Sequence, residues 1–156
     1  MPDQQELGGR QSTKDRLLAR RLPTVQHRIR VDFDADPDDP DAYVVLELRA
    51  IAPQAAEDLI DAHPPTAADY AHNPNAAWSR ATYVPALLAA CSVDPELDEL
   101  FWWELWTNER AADHADGDGD DGDASQARVT QGEVWEMFRT CQRINDRSPE
   151  LRTGKG

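Results

Sequence analysis

The chain has 156 residues, of which 40% are hydrophobic and 29% are charged, and its formal net charge at pH 7 is −14. This length predicts a single domain, and the composition is not that of a wholly disordered chain. The acidic charge repels phosphate and therefore disfavours direct binding to nucleic acid. No window holds the ~20 consecutive apolar residues that a membrane span requires.

The N-terminal end is polar and basic. Residues 1–22 are expected to form a flexible tail, in which residues 15–22 (DRLLARRL) can make two helical turns before Pro23 stops them. The first 31 residues carry a net charge of +4. These cations either remain solvated or contact an acidic partner, and the sequence leaves both alternatives open. Because no apolar signal segment is evident, we expect a cytosolic protein.

A β-hairpin is predicted over residues 25–51. Apolar residues share one face at period two in the first strand, at Val25, Ile29, Val31 and Phe33. The partner strand is the β-branched segment YVVLELRAI, residues 43–51. Between them, residues 34–41 (DADPDDPD) combine prolines with aspartates that cap nearby amides, which predicts a long acidic turn.

Four helices are predicted after the hairpin, at about residues 53–62, 82–91, 95–110 and 131–145. A first-turn proline marks two of these starts, and threonine caps mark the other two. The polar residues 67–80 are expected to form a loop. The predicted fold is mainly α with a small N-terminal β-hairpin, an α+β protein with one globular domain over residues 23–147.

An acidic, glycine-rich tract separates the last two helices. Residues 111–128 are expected to be a disordered loop, and residues 148–156 a flexible C-terminal tail. Numbered from Asp116, the tract matches the first three acidic positions of an EF-hand, but Asp121 stands where glycine belongs and Ala127 where the last acid belongs. We therefore predict no metal site.

No arrangement of residues typical of an enzyme is found. The four histidines lack metal-ligand spacing, and no nucleophile motif, phosphate-binding loop or dinucleotide fingerprint occurs. Cys91 and Cys141 lie in apolar helical patterns and are expected to be reduced, buried thiols. We expect a non-enzymatic protein without a cofactor.

The motif FWWELW, Phe101 to Trp106, holds three of the five tryptophans. On a helical wheel its apolar arc is wider than a surface helix needs, and Leu100 and Trp103 lie outside the main arc. An apolar arc wider than the core can cover indicates a partner surface. The candidate partner-binding residues are Phe101, Trp102, Trp103, Trp106 and Trp135, each of which the core alone can also explain.

Five short motifs follow one another over about residues 46–138. They are LRA (48–50), HPPT (63–66), PALLAACSVDP (85–95), LW (105–106) and GEV (132–134). Their order and spacing resemble the tail assembly chaperones of siphophages and prophages of actinobacteria. Residues 107–129 have the position of an insertion relative to that family. The final helix is also more polar after Phe138 than the family's Ala- and Leu-rich segment.

The resemblance implies a non-enzymatic role. Such chaperones keep the tape measure protein soluble while tail tube subunits polymerise around it, and they are absent from the finished virion. It also implies the host cytoplasm as the location. The tape measure protein is the implied client, and the tail tube protein and a longer form made by ribosomal frameshifting are further implied partners. The frameshift requires a slippery heptamer, which the codons for residues 154–156 could contain. Codons without such a heptamer would contradict the frameshift.

A second function is compatible with the acidic charge. The chain would be a regulatory protein whose carboxylates mimic a nucleic-acid backbone and occupy a basic site on a host or phage protein. The two functions differ in salt dependence, because charge-driven binding weakens with salt and apolar binding persists.

Overall fold

The computed structural model describes residues 11–109 and 126–146. It is mostly helical with one two-stranded antiparallel sheet near the N-terminus, which confirms the α+β class. The elements are α1 Thr13–Ala19, β1 Val25–Arg30, β2 Tyr43–Leu48, α2 Pro53–Ala62, α3 Ala67–His72, α4 Arg80–Cys91, α5 Glu99–Thr107 and α6 Gln131–Asp146. Most of the predicted acidic loop and the C-terminal tail lie outside the described residues, as do residues 1–10.

The β-hairpin is shorter than the sequence predicts. Val25 pairs with Leu48 and Arg30 with Tyr43, and β1 ends there because the amides of Val31 and Asp32 both donate to the Ala42 carbonyl, at 2.7 and 3.1 Å. Placing Val31 and Phe33 on the packed face was therefore wrong, and Phe33 is 74% exposed.

Beyond β2, the sheet edge is covered by the segment that follows α4. The Arg49 amide donates to the Cys91 carbonyl at 2.8 Å, and the Val93 amide donates to the Glu47 carbonyl at 3.0 Å. Leu48 forms an isolated antiparallel bridge with Ser92 between these two bonds. The hairpin is thus joined to the helical part of the chain by backbone hydrogen bonds as well as by packing.

The acidic turn of the hairpin is held by its own aspartates. The Asp32 carboxylate accepts from the amides of Asp34 and Ala35 at 3.0 and 3.2 Å. Asp36 and Asp39 each cap the amide two residues onward, at 2.9 and 3.0 Å. The predicted turn chemistry is confirmed, and the turn has a defined conformation despite its charge.

The segment between α2 and α4 contains a helix that the sequence did not predict, and α4 starts earlier than predicted. Residues 67–72 form α3 rather than a loop, because Thr66 and Asp69 make a reciprocal capping box. Helix α4 begins at Arg80, so Thr82 is not its cap and Pro85 lies in the helix interior.

Helix α5 begins at Glu99, four residues after the predicted start at Pro95. The Asp98 carboxylate accepts from the Phe101 amide at 2.9 Å and is the N-cap. Asp94, the expected cap, accepts instead from the Glu96 amide at 2.9 Å in the turn before the helix. At the C-terminal end Asn108 adopts the left-handed conformation with φ 60° and stops the helix.

The core is built around α4. Six consecutive residues, 83–88, are buried, followed by Cys91. Residues from β2, α5 and α6 cover this helix, namely Leu46, Leu48, Trp102, Val134, Met137, Phe138, Cys141 and Ile144. The α6 members of this set recur at helical spacing in the sequence, as expected for an amphipathic helix, and they form its buried face.

We predict that Asp98→Ala lowers the free energy of unfolding by about 1 kcal/mol, because the variant loses an N-cap. Urea denaturation measures this change. Glu96→Ala is the matched control, since it removes one negative charge from the same exposed segment without removing a cap. Equal stability of the two variants would contradict the observed start of α5.

Candidate interaction surface

Trp102 belongs to the core rather than to a partner surface. Its side chain is 2% exposed, and the indole N–H donates to the Ser92 hydroxyl at 3.2 Å. Ser92 in turn donates to the Leu88 carbonyl at 2.7 Å. These two hydrogen bonds pair the indole N–H and the Ser92 hydroxyl, so burial of Trp102 leaves neither group unsatisfied. Trp102 is therefore removed from the candidate partner-binding residues.

Phe101, Trp106 and Trp135 are half-buried and pack against the core. Phe101 contacts Trp102 edge-to-face, with ring centroids 5.1 Å apart. Trp106 and Trp135 meet edge-to-face at 6.0 Å, and Trp135 meets Phe138 at 5.3 Å. These three rings form an outer layer of the core, so each has an internal partner that accounts for its position.

Trp103 has a different environment. It is half-buried but lies outside the core cluster and its packed neighbours, on the same side of α5 as Leu100, which is 52% exposed. The helical wheel places these two residues outside the main apolar arc, and the structure confirms that placement. Trp103 is thus the aromatic side chain of α5 that is most available to another molecule.

A groove between α4 and α5 surrounds this side chain. It has a volume of about 280 Å³ and is lined by Thr82, Pro85, Glu99, Leu100 and Trp103. We call it the Trp103 groove. Glu99 is the charged residue in its lining, and the stretch 94–104 that contains Glu99 has five Asp and Glu and no Lys or Arg. The groove therefore combines an apolar surface with a negatively charged border.

A second groove lies beside α3. It has a volume of about 340 Å³ and is lined in part by Asp69, His72, Trp78 and Arg80. Hydrogen bonds from the Thr66 amide and hydroxyl lower the pKa of Asp69 below its usual value. Because that carboxylate also accepts from the Arg80 amide at 3.3 Å, its role in the structure is to hold α3 against the start of α4.

Trp78 has a packing role that the sequence did not reveal. Its ring stacks on Tyr83 at 4.8 Å and meets Phe138 edge-to-face at 5.3 Å. It lies in residues 67–80, for which the sequence predicts a loop. Tyr83 is near it in the chain, but Phe138 comes from α6, so no local pattern shows that the Trp78 ring joins these two helices.

The two cysteines are fully buried and adjacent. The Asn145 side-chain amide donates to the Cys91 sulfur at 3.4 Å and to the Cys141 carbonyl at 2.7 Å. Hydrogen bonding with the Cys91 thiol, together with burial, raises the pKa of the Cys141 thiol well above its usual value. Cys141 is thus a neutral thiol in the core, away from any groove described above.

The part of the chain that the structure describes contains no group of three or more His, Cys, Asp or Glu side chains that could hold a metal ion. Within the same residues, no helix is both long and apolar enough to cross a membrane.

Comparisons with protein-family models, with curated protein sequences and with solved structures give no match.

We predict that Trp102→Phe lowers the free energy of unfolding by about 1–3 kcal/mol, because it leaves a cavity and removes the donor to Ser92. Trp103→Phe makes the same chemical change outside the core and is expected to cost about 0.5 kcal/mol or less. Urea denaturation of both variants measures the difference. A loss at Trp103 as large as that at Trp102 would show that Trp103 is part of the core.

Proposed function

We propose that this chain is a non-enzymatic tail assembly chaperone of a siphophage or prophage of actinobacteria. It keeps the tape measure protein soluble in the host cytoplasm and helps to recruit tail tube subunits. It is not retained in the mature virion. The tail tube protein and a frameshifted longer form of the chain are its further partners.

The observation that carries this proposal is the Trp103 groove. A chaperone of a long apolar client needs an apolar contact surface that its own core does not cover. Leu100 and Trp103 provide that surface, since they lie on the outside of α5 next to Pro85. With a volume of about 280 Å³ and Leu100, Trp103 and Pro85 in its lining, the groove is suited to side chains from one face of a helix.

The distribution of charge supports the same role. Carboxylates border the groove, and the whole chain carries a net charge of −14. A high net charge opposes association between complexes, so it keeps a chaperone soluble while an apolar client is bound. The border also favours client helices that carry Lys or Arg beside their apolar residues.

The motifs that resemble the tail assembly chaperones occupy positions that determine the fold. Leu48 is buried at the end of β2, and residues 85–92 include the buried half of α4 and the Ser92 hydroxyl that Trp102 contacts. Gly132-Glu133-Val134 opens α6, where Glu133 accepts from the Thr130 amide at 2.9 Å. The resemblance therefore supports a shared fold, and the Trp103 groove supports the shared function.

The test is co-expression with the tape measure protein encoded in the same genome. We expect the chaperone to raise the soluble fraction of this client, and the complex to survive purification in high salt. Trp103→Ala is expected to lower the captured client by roughly fivefold or more, because it removes a central anchor of the contact.

Phe33→Ala is the matched control, since Phe33 is also an exposed aromatic residue but lies in the hairpin turn. Thermal melts of both variants check that the fold is retained. A Trp103→Ala variant that captures as much client as the Phe33→Ala variant would contradict the assignment of the groove. A client that stays insoluble with the wild-type chaperone would contradict the function.

The acidic hairpin turn favours a second candidate function, a protein that mimics a nucleic-acid backbone. Residues 32–41 contain six aspartates, and hydrogen bonds within the turn hold them in a defined conformation. A fixed array of carboxylates can occupy a basic site on another protein, whereas an unfixed array does so less well. This turn is remote in sequence from the Trp103 groove, so the two functions can be tested by separate substitutions.

For the second candidate we predict that Asp34→Asn/Asp38→Asn/Asp41→Asn abolishes capture of a basic protein at low salt. These three carboxylates accept none of the hydrogen bonds that hold the turn, so the caps made by Asp32, Asp36 and Asp39 remain. Capture is measured at low and moderate ionic strength, where charge-driven binding should weaken steeply. Capture that survives both the substitutions and the salt would rule the mimic out.

A further inference from the structure

Helix α1 has no residue buried against the described part of the chain. All residues from Ser12 to Leu22 are exposed, and Leu17 and Leu18 are 64% and 67% exposed. A helix of two turns is marginal in water even with the Ser12 cap that it has, at 3.1 Å to the Asp15 amide. The two neighbouring leucines can stabilise so short a helix only where another surface covers them and removes them from water.

The charge of this segment restricts what that surface can be. Residues 12–22 contain four Lys and Arg and one Asp, so the leucines are surrounded by cations. A docking surface for α1 must therefore be apolar in the centre and acidic at the border. Opposite charges at the border of an interface steer encounter and exclude wrong partners.

The Trp103 groove meets both requirements. Leu100 and Trp103 are its apolar part, Glu99 lines it, and every charged residue in the stretch 94–104 is acidic. The groove beside α3 has Asp69 in its lining but also Arg80, which opposes docking of a cationic segment. Another groove is lined by apolar residues together with Asp94, Asp98 and Glu99, but its lining also includes Arg49. The groove beside Trp106, lined by Leu105, Val129, Thr130, Gln131 and Val134, offers no charged side chain.

We propose that α1 of one copy of this chain docks in the Trp103 groove of a second copy, and that the reciprocal contact closes a dimer. The occupant is a second copy rather than the same chain because α1 buries none of its residues against its own body. The leucines cover Trp103, and Arg16, Arg20 and Arg21 meet the carboxylates of α5. Two such contacts related by a two-fold axis use the same pair of surfaces twice.

This contact does not depend on the proposed function, but one consequence does. If the Trp103 groove also binds the client, α1 is a competitor that covers the apolar surface until a client displaces it. The dimer would then be the stored form of the chaperone, and the monomer would be the form that binds the client.

The experiment is analytical ultracentrifugation of the full chain over a range of concentrations, with no client present. We expect the wild type to form a concentration-dependent dimer that weakens as salt rises. Leu17→Ser/Leu18→Ser is expected to raise the dimer dissociation constant roughly tenfold or more, because it removes the apolar centre of the contact. Val31→Ser/Phe33→Ser is the control, since it removes two exposed apolar side chains elsewhere and is expected to leave the dimer unchanged.

A mixing experiment distinguishes docking between copies from docking within one chain. Trp103→Ser destroys the groove and keeps α1, whereas Leu17→Ser/Leu18→Ser destroys α1 and keeps the groove. Each variant alone is expected to be monomeric at concentrations where the wild type dimerises, and an equimolar mixture is expected to form a weaker heterodimer through one intact contact.

A wild-type chain that stays monomeric throughout would overturn the proposal, as would a dimer that neither Leu17→Ser/Leu18→Ser nor Trp103→Ser weakens. Absence of heterodimer in the mixture would overturn it as well, because α1 would then act within its own chain or on a different protein. Since no client is used, these outcomes are independent of whether the chaperone function is correct.

Discussion

Helix α4 has apolar side chains around its whole circumference, and this feature determines how the other elements are arranged. A run of six buried residues, 83–88, turns through more than one full revolution, so no side of this part of the helix is left for water. A helix of this kind is stable only inside a shell. Leu46 and Leu48 from β2, Trp102 from α5, and the apolar stripe of α6 supply that shell. The backbone bonds from Arg49 and Val93 fix the hairpin to the end of the same helix.

Covering α4 accounts for one face of α5 but does not account for Leu100 and Trp103. One face of α5 must present Trp102 to the core, where Ser92 at the end of α4 accepts its N–H. Phe101, Leu105 and Trp106 extend that face around the helix. Leu100 and Trp103 are not needed for this task, and burial of the core leaves them outside. Their apolar character therefore calls for an explanation other than stability, which is why the proposed function is assigned to them.

How much of this could be predicted from the sequence depends on the range of the interactions involved. The pattern of α6 and its capping box are local, and the structure confirms both. The start of α5 is a choice between two aspartates that are both good caps, and in the structure Asp98 caps the helix while Asp94 caps the turn before it. The alternation of apolar residues along the first strand predicts that Val31 and Phe33 lie on the packed face. Ala42, which accepts both amides that follow β1, prevents this through a contact across the hairpin.

The candidate site also has some features that residue spacing predicts and others that depend on contacts between separate elements. A helical wheel separates Trp103 from the main arc, because the wheel depends only on residue spacing. It does not separate Trp102 from Trp106, since both lie on the arc. In the structure Trp102 is buried and donates to Ser92, whereas Trp106 is half-buried. The role of Trp78 was missed for the same reason, because Tyr83 and Phe138 come from different helices.

The uneven distribution of charge relates α1 to α5. The cations in and after α1 lie beside the exposed leucines Leu17 and Leu18, and the carboxylates around α5 lie beside exposed Leu100 and half-buried Trp103. A chain that carried its charge only for solubility would not need to sort it by sign around its exposed apolar residues. Sorting of this kind makes two surfaces of one molecule complementary, so that apolar area which would otherwise cause nonspecific association is directed towards one defined contact.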